Sequence, residues 1–274
     1  MSTTHRGVAQ SPDGTPIAYR THGDGEPVVL IHGTGLSQVV WRGLGYIDAL
    51  AGYRVVTLDL RGHGRSGRPS SPSDYAAGRF ASDVLSVLDV LAIPRAHYLG
   101  YSLGARTGFT LLDTSPDRLL SFVSLGGTHR GTAGGPAEVF FPDFDEALRL
   151  GGMAEFVERW GRHRGAPVDP QTALAFRAND PEAFRAVLAA IEQEPGIPPA
   201  RLRDITTPTL LLAGDRDRAR WEAAEEAAHL MGNARAVTLE GDDHATTLSD
   251  RARVVAHTLP FLRAVTAGEP SLCR

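Results

Sequence analysis

Three residue types in this chain stand in an order that supports nucleophilic chemistry: Ser102, an aspartate at 215 or 217, and His244. A serine hydroxyl is a poor nucleophile at neutral pH until a base takes its proton, and an imidazole does this best when a carboxylate orients it. Ser102 lies in Gly100-Tyr101-Ser102-Leu103-Gly104, after the apolar run Ala96-His97-Tyr98-Leu99 and before a helical pattern over 105–113. A serine between two glycines at a strand-to-helix junction fits a tight turn. There the glycines relieve crowding and the hydroxyl is lifted clear of the sheet edge. Downstream, Thr209-Leu210-Leu211-Leu212-Ala213 runs into Gly214-Asp215-Arg216-Asp217, and Ala236-Val237-Thr238-Leu239 leads to Gly241-Asp242-Asp243-His244. Nucleophile, acid and base thus each follow the carboxyl end of a strand, in a chain order that one group of triads uses.

The segments around these residues follow a repeating rhythm. Apolar runs predict strands at about 28–32, 53–58, 96–101, 119–125, 208–213 and 235–239, with a hairpin over 8–20 turning at Asp13-Gly14. Helical patterns fall near 36–50, 76–91, 104–113, 220–231 and 248–265. Alternation of this kind predicts an α/β fold, a mostly parallel sheet flanked by helices. The interval 130–200 breaks the rhythm, with no convincing strand and short helical patterns at 143–150, 154–163 and 181–192. It reads as a helical cap inserted after strand 6. The chain then divides into a first core part (1–129), the cap (130–200) and a second core part (201–274). The early strand Val28-Val29-Leu30-Ile31 ends in His32-Gly33-Thr34-Gly35, a glycine-rich stretch suited to an oxyanion-binding loop. Leu103 opens the helix after Ser102, where a free N–H and the helix dipole favour developing negative charge.

With these motifs and Asp59-Leu60-Arg61-Gly62-His63-Gly64-Arg65-Ser66 after the fourth strand, the chain resembles the α/β-hydrolase fold superfamily, in its capped single-domain branch. The resemblance covers nearly the whole length. It implies Ser102 as nucleophile, His244 as base, and the N–H groups of Thr34 and Leu103 as the oxyanion hole. The family's Gly-x-x-Asp spacing selects Asp217 as the acid and leaves Asp215 as a turn residue. No carboxylate lies between Phe122 and Thr128, so the alternative acid position of some relatives is empty. Haloalkane dehalogenases and epoxide hydrolases carry Asp where this chain has Ser102, which disfavours both. Asp243 departs from the glycine that often precedes the family's histidine. His32 is expected to order its loop, His63 to be structural and His257 to pack, while His129 and His163 could face the cleft without a chemical role.

Composition sets further limits. A length of 274 residues fits one α/β domain with an insertion, or two small domains, and a 42% hydrophobic content is enough for a sizeable core. The formal charge of −4 offers no footprint for nucleic acid, residues 1–10 have no apolar signal region, and no segment is long enough to span a bilayer. The single cysteine, Cys273, cannot form an intrachain disulfide. No Cys/His cluster suggests a metal, and the glycine-rich loops match no phosphate cradle, so no cofactor is expected. The expected setting is cytoplasmic and the expected partner a small-molecule substrate, with neither nucleic acid nor membrane; oligomeric state is open. Phe140, Phe141, Phe144, Phe156, Trp160, Phe176 and Phe184 give the cap an aromatic character that favours an apolar or aromatic substrate. The expected reaction is cleavage of an ester or lactone through an acyl-enzyme. The same triad could instead serve carbon–carbon bond hydrolysis, perhydrolysis, lyase or acyl-transfer chemistry, and the cleft could belong to a non-catalytic binding protein.

Overall fold

A computed structural model describes residues 4–269; Cys273 and the end of the predicted tail lie outside the described residues. Eight strands form one sheet: β1 (Thr4–Gln10), β2 (Pro16–His22), β3 (Glu26–Ile31), β4 (Tyr53–Leu58), β5 (Ala96–Tyr101), β6 (Leu119–Leu125), β7 (Thr209–Gly214) and β8 (Ala234–Leu239). Their order is β1-β2-β4-β3-β5-β6-β7-β8. β1 and β2 form an antiparallel hairpin, and β2 is antiparallel to β4. All pairings from β4 to β8 are parallel. The hairpin is longer than the 8–20 expected from sequence, because Thr4, His5, Arg6 and Gly7 continue the backbone ladder with His22, Thr21, Arg20 and Tyr19.

The apolar runs are explained by burial on both faces. Side chains alternate across a strand, and here Val28 and Leu30 enter one core while Val29 and Ile31 enter the other. Helices cover both faces. In chain order they are α1 (Val39–Gly43), α2 (Tyr46–Ala49), α3 (Ala77–Val90), α4 (Leu103–Thr114), α5 (Gly135–Val139), α6 (Phe144–His163), α7 (Pro170–Arg177), α8 (Pro181–Glu192), α9 (Pro199–Arg203), α10 (Arg218–Leu230), α11 (His244–Ser249) and α12 (Arg251–Thr266). Buried residues of α3, α4 and α10 join the core with Val29; those of α1, α2, α11 and α12 join the core with Val28. Among the described residues no helix is long and apolar enough to cross a membrane.

Several expected helices are subdivided. The pattern over 36–50 is two short helices broken at Gly45, whose φ of 78° is left-handed. The pattern over 248–265 begins earlier and splits at Asp250, whose carboxylate caps α12 by accepting from the Arg253 N–H (3.1 Å). Between β6 and β7 lie α5 to α9, with no strand among them. The gap expected between 150 and 154 falls at Gly152, where φ is 61° and α6 is kinked. α7 was not expected, although Asp169 caps it (Thr172 N–H to Oδ1, 2.9 Å) and Pro170 occupies its first turn. Phe140, Phe141, Phe156, Phe176 and Phe184 are buried in a separate core of this segment, which Phe144 and Trp160 flank.

Arg61 ties the hairpin to the rest of the sheet. Its fully buried guanidinium makes a bidentate pair with the equally buried Asp83 of α3, both N–H···O distances being 2.7 Å. It also donates to Asp13 Oδ2 (2.8 Å) and to the Asp74 carbonyl (2.7 Å). Burial pushes Asp83 up despite Arg61, so the arginine is what keeps that carboxylate tolerable as an ion. Arg61→Ala is expected to cost about 3–5 kcal/mol of unfolding free energy, because it strands a buried charge. Adding Asp83→Ala should recover part of the loss. Urea titration of both variants checks this, and a loss below about 1 kcal/mol for the single variant would contradict it.

Candidate active site

The turn at Ser102 is strained and tightly boxed. β5 ends at Tyr101 and α4 starts at Leu103, which leaves Ser102 at φ 52°, ψ −113°. Such a conformation costs a non-glycine residue on the order of 1–3 kcal/mol, so the surroundings must enforce it. They do so by close backbone approach. A Cβ on Gly104 would lie 2.2 Å from the Ile31 carbonyl oxygen, and one on Gly100 would lie 2.5 Å from the Gly104 carbonyl carbon. The Ser102 N–H donates to the Leu125 carbonyl (3.0 Å), and the buried Tyr98 hydroxyl donates to the Gly104 carbonyl (2.5 Å).

His244, the first residue of α11, reaches the hydroxyl just past the loop that follows β8. Its Nε2 lies 2.9 Å from Ser102 Oγ, and its Nδ1 lies 2.6 Å from Asp217 Oδ2. Asp215 does not take part: it is exposed and accepts from the Gly241 N–H (2.8 Å), bracing the loop that leads to His244. Burial alone would raise the pKa of Asp217. The hydrogen bond and charge of His244, with Arg220 Nη1 3.6 Å from Oδ1, outweigh it and hold the carboxyl below its ordinary value. An ionised Asp217 places the imidazole proton on Nδ1 and leaves Nε2 to accept from Ser102. Asp243, the departure from the family pattern, closes a capping box: its side chain accepts from the Thr246 N–H and its own N–H donates to Thr246 Oγ1, each at 2.8 Å. Asp242 meanwhile pairs with Arg253 Nη2 at 2.7 Å, which secures α12.

Two further residues hold this arrangement, and the sequence reading missed both. The Tyr101 hydroxyl donates to the His244 carbonyl (3.0 Å), with the two rings 5.3 Å apart. Asn179, two residues beyond α7, donates from Nδ2 to the Gly35 carbonyl (2.9 Å) and so fastens the segment between β6 and β7 to the loop that carries Thr34. Neither could be read from spacing, since the partners are 143 and 144 residues away.

Thr34, Ser102, Leu103 and His244 all line one cavity of about 960 Å³ at the carboxyl edge of the sheet. Leu103 is the first helical residue of α4, so its N–H has no partner a turn earlier. Phe140, Trp160 and Phe176 face the cavity, whereas Phe156 and Phe184 are fully buried behind them. His163 also lines it. His129 does not: it packs on Phe109 with Nε2 3.5 Å from Glu226. His32 donates from Nδ1 to the Gly33 carbonyl (2.8 Å) and accepts at Nε2 from the Leu60 N–H (3.0 Å), which orders the loop. His63 donates from Nδ1 to the Arg61 carbonyl (2.9 Å). Among the described residues no group of three His, Cys, Asp or Glu could hold a metal ion.

A family profile described as the alpha/beta hydrolase fold matches residues 26–165. The chain belongs to the α/β-hydrolase fold family. Its relatives in this family include the protein of Variovorax paradoxus named "Putative carbamate hydrolase RutD", 31% identical over 92% of this chain and 98% of the relative. Among solved structures, a hydrolase from Pseudomonas aeruginosa PA01 superposes with a TM-score of 0.80 at 27% identity, covering 94% of this chain and 98% of the other. The enol-lactonase from Burkholderia xenovorans LB400 superposes with a TM-score of 0.75 at 25% identity, over 94% and 100% of the two chains. Other members of the α/β-hydrolase fold family serve varied chemistries, so the site geometry must carry the reading of this one.

The buried histidines also give the α/β-hydrolase core an acid limit. Burial lowers the pKa of His32, and it pushes His63 down to about 3 from 6.5. Between those values the unfolded chain binds protons that the folded chain refuses, so stability is full above 6.5 and falls as pH drops toward 3. The urea midpoint should therefore decline from about pH 7 to about pH 5, before most carboxylates titrate. A flat midpoint over that range would count against buried neutral imidazoles.

Proposed function

We propose that this protein is a serine hydrolase that cleaves an ester or lactone of a small, partly apolar molecule through an acyl-enzyme. The observation that carries the reading is the continuous contact Asp217–His244–Ser102, with the serine on a strained turn that opens into the cavity. His244 Nε2 takes the Ser102 proton as Oγ attacks the carbonyl carbon. The tetrahedral oxyanion is held by the N–H groups of Thr34 and Leu103, the second reinforced by the positive end of α4. The imidazolium, stabilised by Asp217, then protonates the leaving oxygen. Water, deprotonated by the same nitrogen, releases the acid in the second half-reaction. None of these steps draws on a cofactor. The segment 130–200 acts as a cap that shapes the cavity and shields the acyl-enzyme, with Asn179 coupling it to the Thr34 loop.

The second reading is a carbamate substrate, favoured by similarity to the Variovorax protein. Attack on a carbamate carbonyl uses the same residues in the same roles, and the difference lies in the bond broken afterwards.

Steady-state turnover of 4-nitrophenyl esters of increasing chain length tests the reading. Ser102→Ala and His244→Ala are each expected to lower kcat by about 10⁵–10⁶-fold, and the double variant no further. Asp217→Asn is expected to cost about 10⁴-fold, by allowing the wrong imidazole tautomer. A Ser102→Ala protein that retains wild-type turnover would end the proposal. Cleavage of a matched 4-nitrophenyl carbamate in preference to the esters would move it to the second reading.

A further inference from the structure

One wall of the cavity carries a guanidinium that no carboxylate contacts among the described residues. Arg106 stands one turn beyond Ser102 on α4, its N–H bonded to the Ser102 carbonyl (2.9 Å), and its side chain lines the same cavity. Helical side chains lean toward the helix N-terminus, which here aims Arg106 back at the sheet edge where Ser102 sits. Nη1 donates to the Arg130 carbonyl (3.0 Å), in the segment after β6, and this anchors the head group. Guanidinium has five N–H donors. Among the described residues this is its one side-chain hydrogen bond, and no carboxylate lies within 4.0 Å of it. Burial lowers its pKa to about 10, against the more distant charge of Glu194, with Arg220 adding a little repulsion. It remains a cation at neutral pH.

The other arginines around the cavity are differently placed. Arg220 sits between Glu138 and Asp217, 3.6 Å from each. Arg218 pairs with Glu222 (2.7 Å), Arg164 lies over the Trp160 ring (5.7 Å), and Arg216 is exposed. Arg106 alone among these combines partial burial, a place on the nucleophile's own helix and no acidic or aromatic neighbour in contact. Opposite it, Val40, Leu44 and Leu248 line the cavity from elements that pack on the other face of the sheet from α4. Ser102, at the tip of β5, therefore has Arg106 on one side and Val40, Leu44 and Leu248 on the other.

We infer that the substrate bears a carboxylate, bound by Arg106 on the α4 side of Ser102, with its apolar portion against Val40, Leu44 and Leu248. The inference rests on the ester- or lactone-cleaving reading and names the substrate class within it. A planar guanidinium with free N–H groups matches a carboxylate in two-point contact, and the partly desolvated site strengthens that pair. The anion also offsets the partial desolvation of the Arg106 head group.

Two esters with one leaving group and one chain length isolate the charge: mono-4-nitrophenyl adipate and 4-nitrophenyl methyl adipate. The wild type is expected to favour the acid by about tenfold or more in kcat/KM, chiefly through KM. Arg106→Gln should bring that ratio close to one, Arg106→Lys should keep part of it, and Arg218→Gln should leave it standing. A merely structural loss would lower both rates and leave the ratio unmoved. A wild-type ratio near one, or a ratio that survives Arg106→Gln, overturns the inference. Failure of the wild type to turn over either ester counts against the esterase reading itself. Calorimetric titration with monomethyl adipate and dimethyl adipate then decides the charge question. Tighter binding of the acid that Arg106→Gln abolishes upholds the inference, and equal affinities overturn it.

Discussion

The site depends on one constraint: β5, β7 and β8 are parallel, so all three deliver their following loops to the same edge of the sheet. Ser102 and His244 are 142 residues apart, and their contact exists because β5 and β8 end at the same edge of the sheet, with only β6 and β7 between them. Parallel pairing requires helical crossovers, and those crossovers bury both faces of the sheet. The two apolar cores are thus the condition for a rigid edge. A rigid edge is what allows a hydrogen bond of 2.9 Å to persist between loops rather than be averaged away.

Strain at Ser102 is the local counterpart of that rigidity. A φ of 52° at a serine persists only if neighbouring backbone leaves no alternative. The approach of Gly104 to Ile31, the Ser102–Leu125 hydrogen bond and the Tyr98 hydroxyl each remove one. The loop that carries Thr34, which meets Tyr101 and Ser102 at Gly33, is braced in the same manner, by His32 and by Asn179. On the proposed mechanism these supports hold the donors where the oxyanion forms, so little reorganisation accompanies the reaction. The helices between β6 and β7 have a further core of their own: Phe156 and Phe184 pack inside it, while Phe140, Trp160 and Phe176 are shared with the cavity lining.

Much of this is legible in the residues because buried parallel strands leave uninterrupted apolar runs. Val28-Val29-Leu30-Ile31 and Leu210-Leu211-Leu212-Ala213 could hardly be anything else, and the motifs follow directly from their ends. Element edges were less legible. The hairpin continues through polar residues, because pairing with a neighbour needs only backbone. α7 was overlooked since its start signals, Asp169 and Pro170, also read as loop residues, and its pattern is short. The choice between Asp215 and Asp217 rested on resemblance; geometry pairs Asp217 with His244 and gives Asp215 to Gly241. Tyr101, Asn179 and Arg106 carry no local signal. Their significance comes from partners, or the want of one, that only the folded chain brings into view.

If Ser102 is an activated nucleophile, covalent labelling will reveal it without presupposing a substrate. Intact-mass measurement after exposure to a small fluorophosphonate should show one adduct on the wild type, located at Ser102, and none on Ser102→Ala. Labelling should slow steeply in His244→Ala, since the hydroxyl then lacks its base. Folded wild-type protein that stays unmodified, or an adduct that persists in Ser102→Ala, would contradict the account.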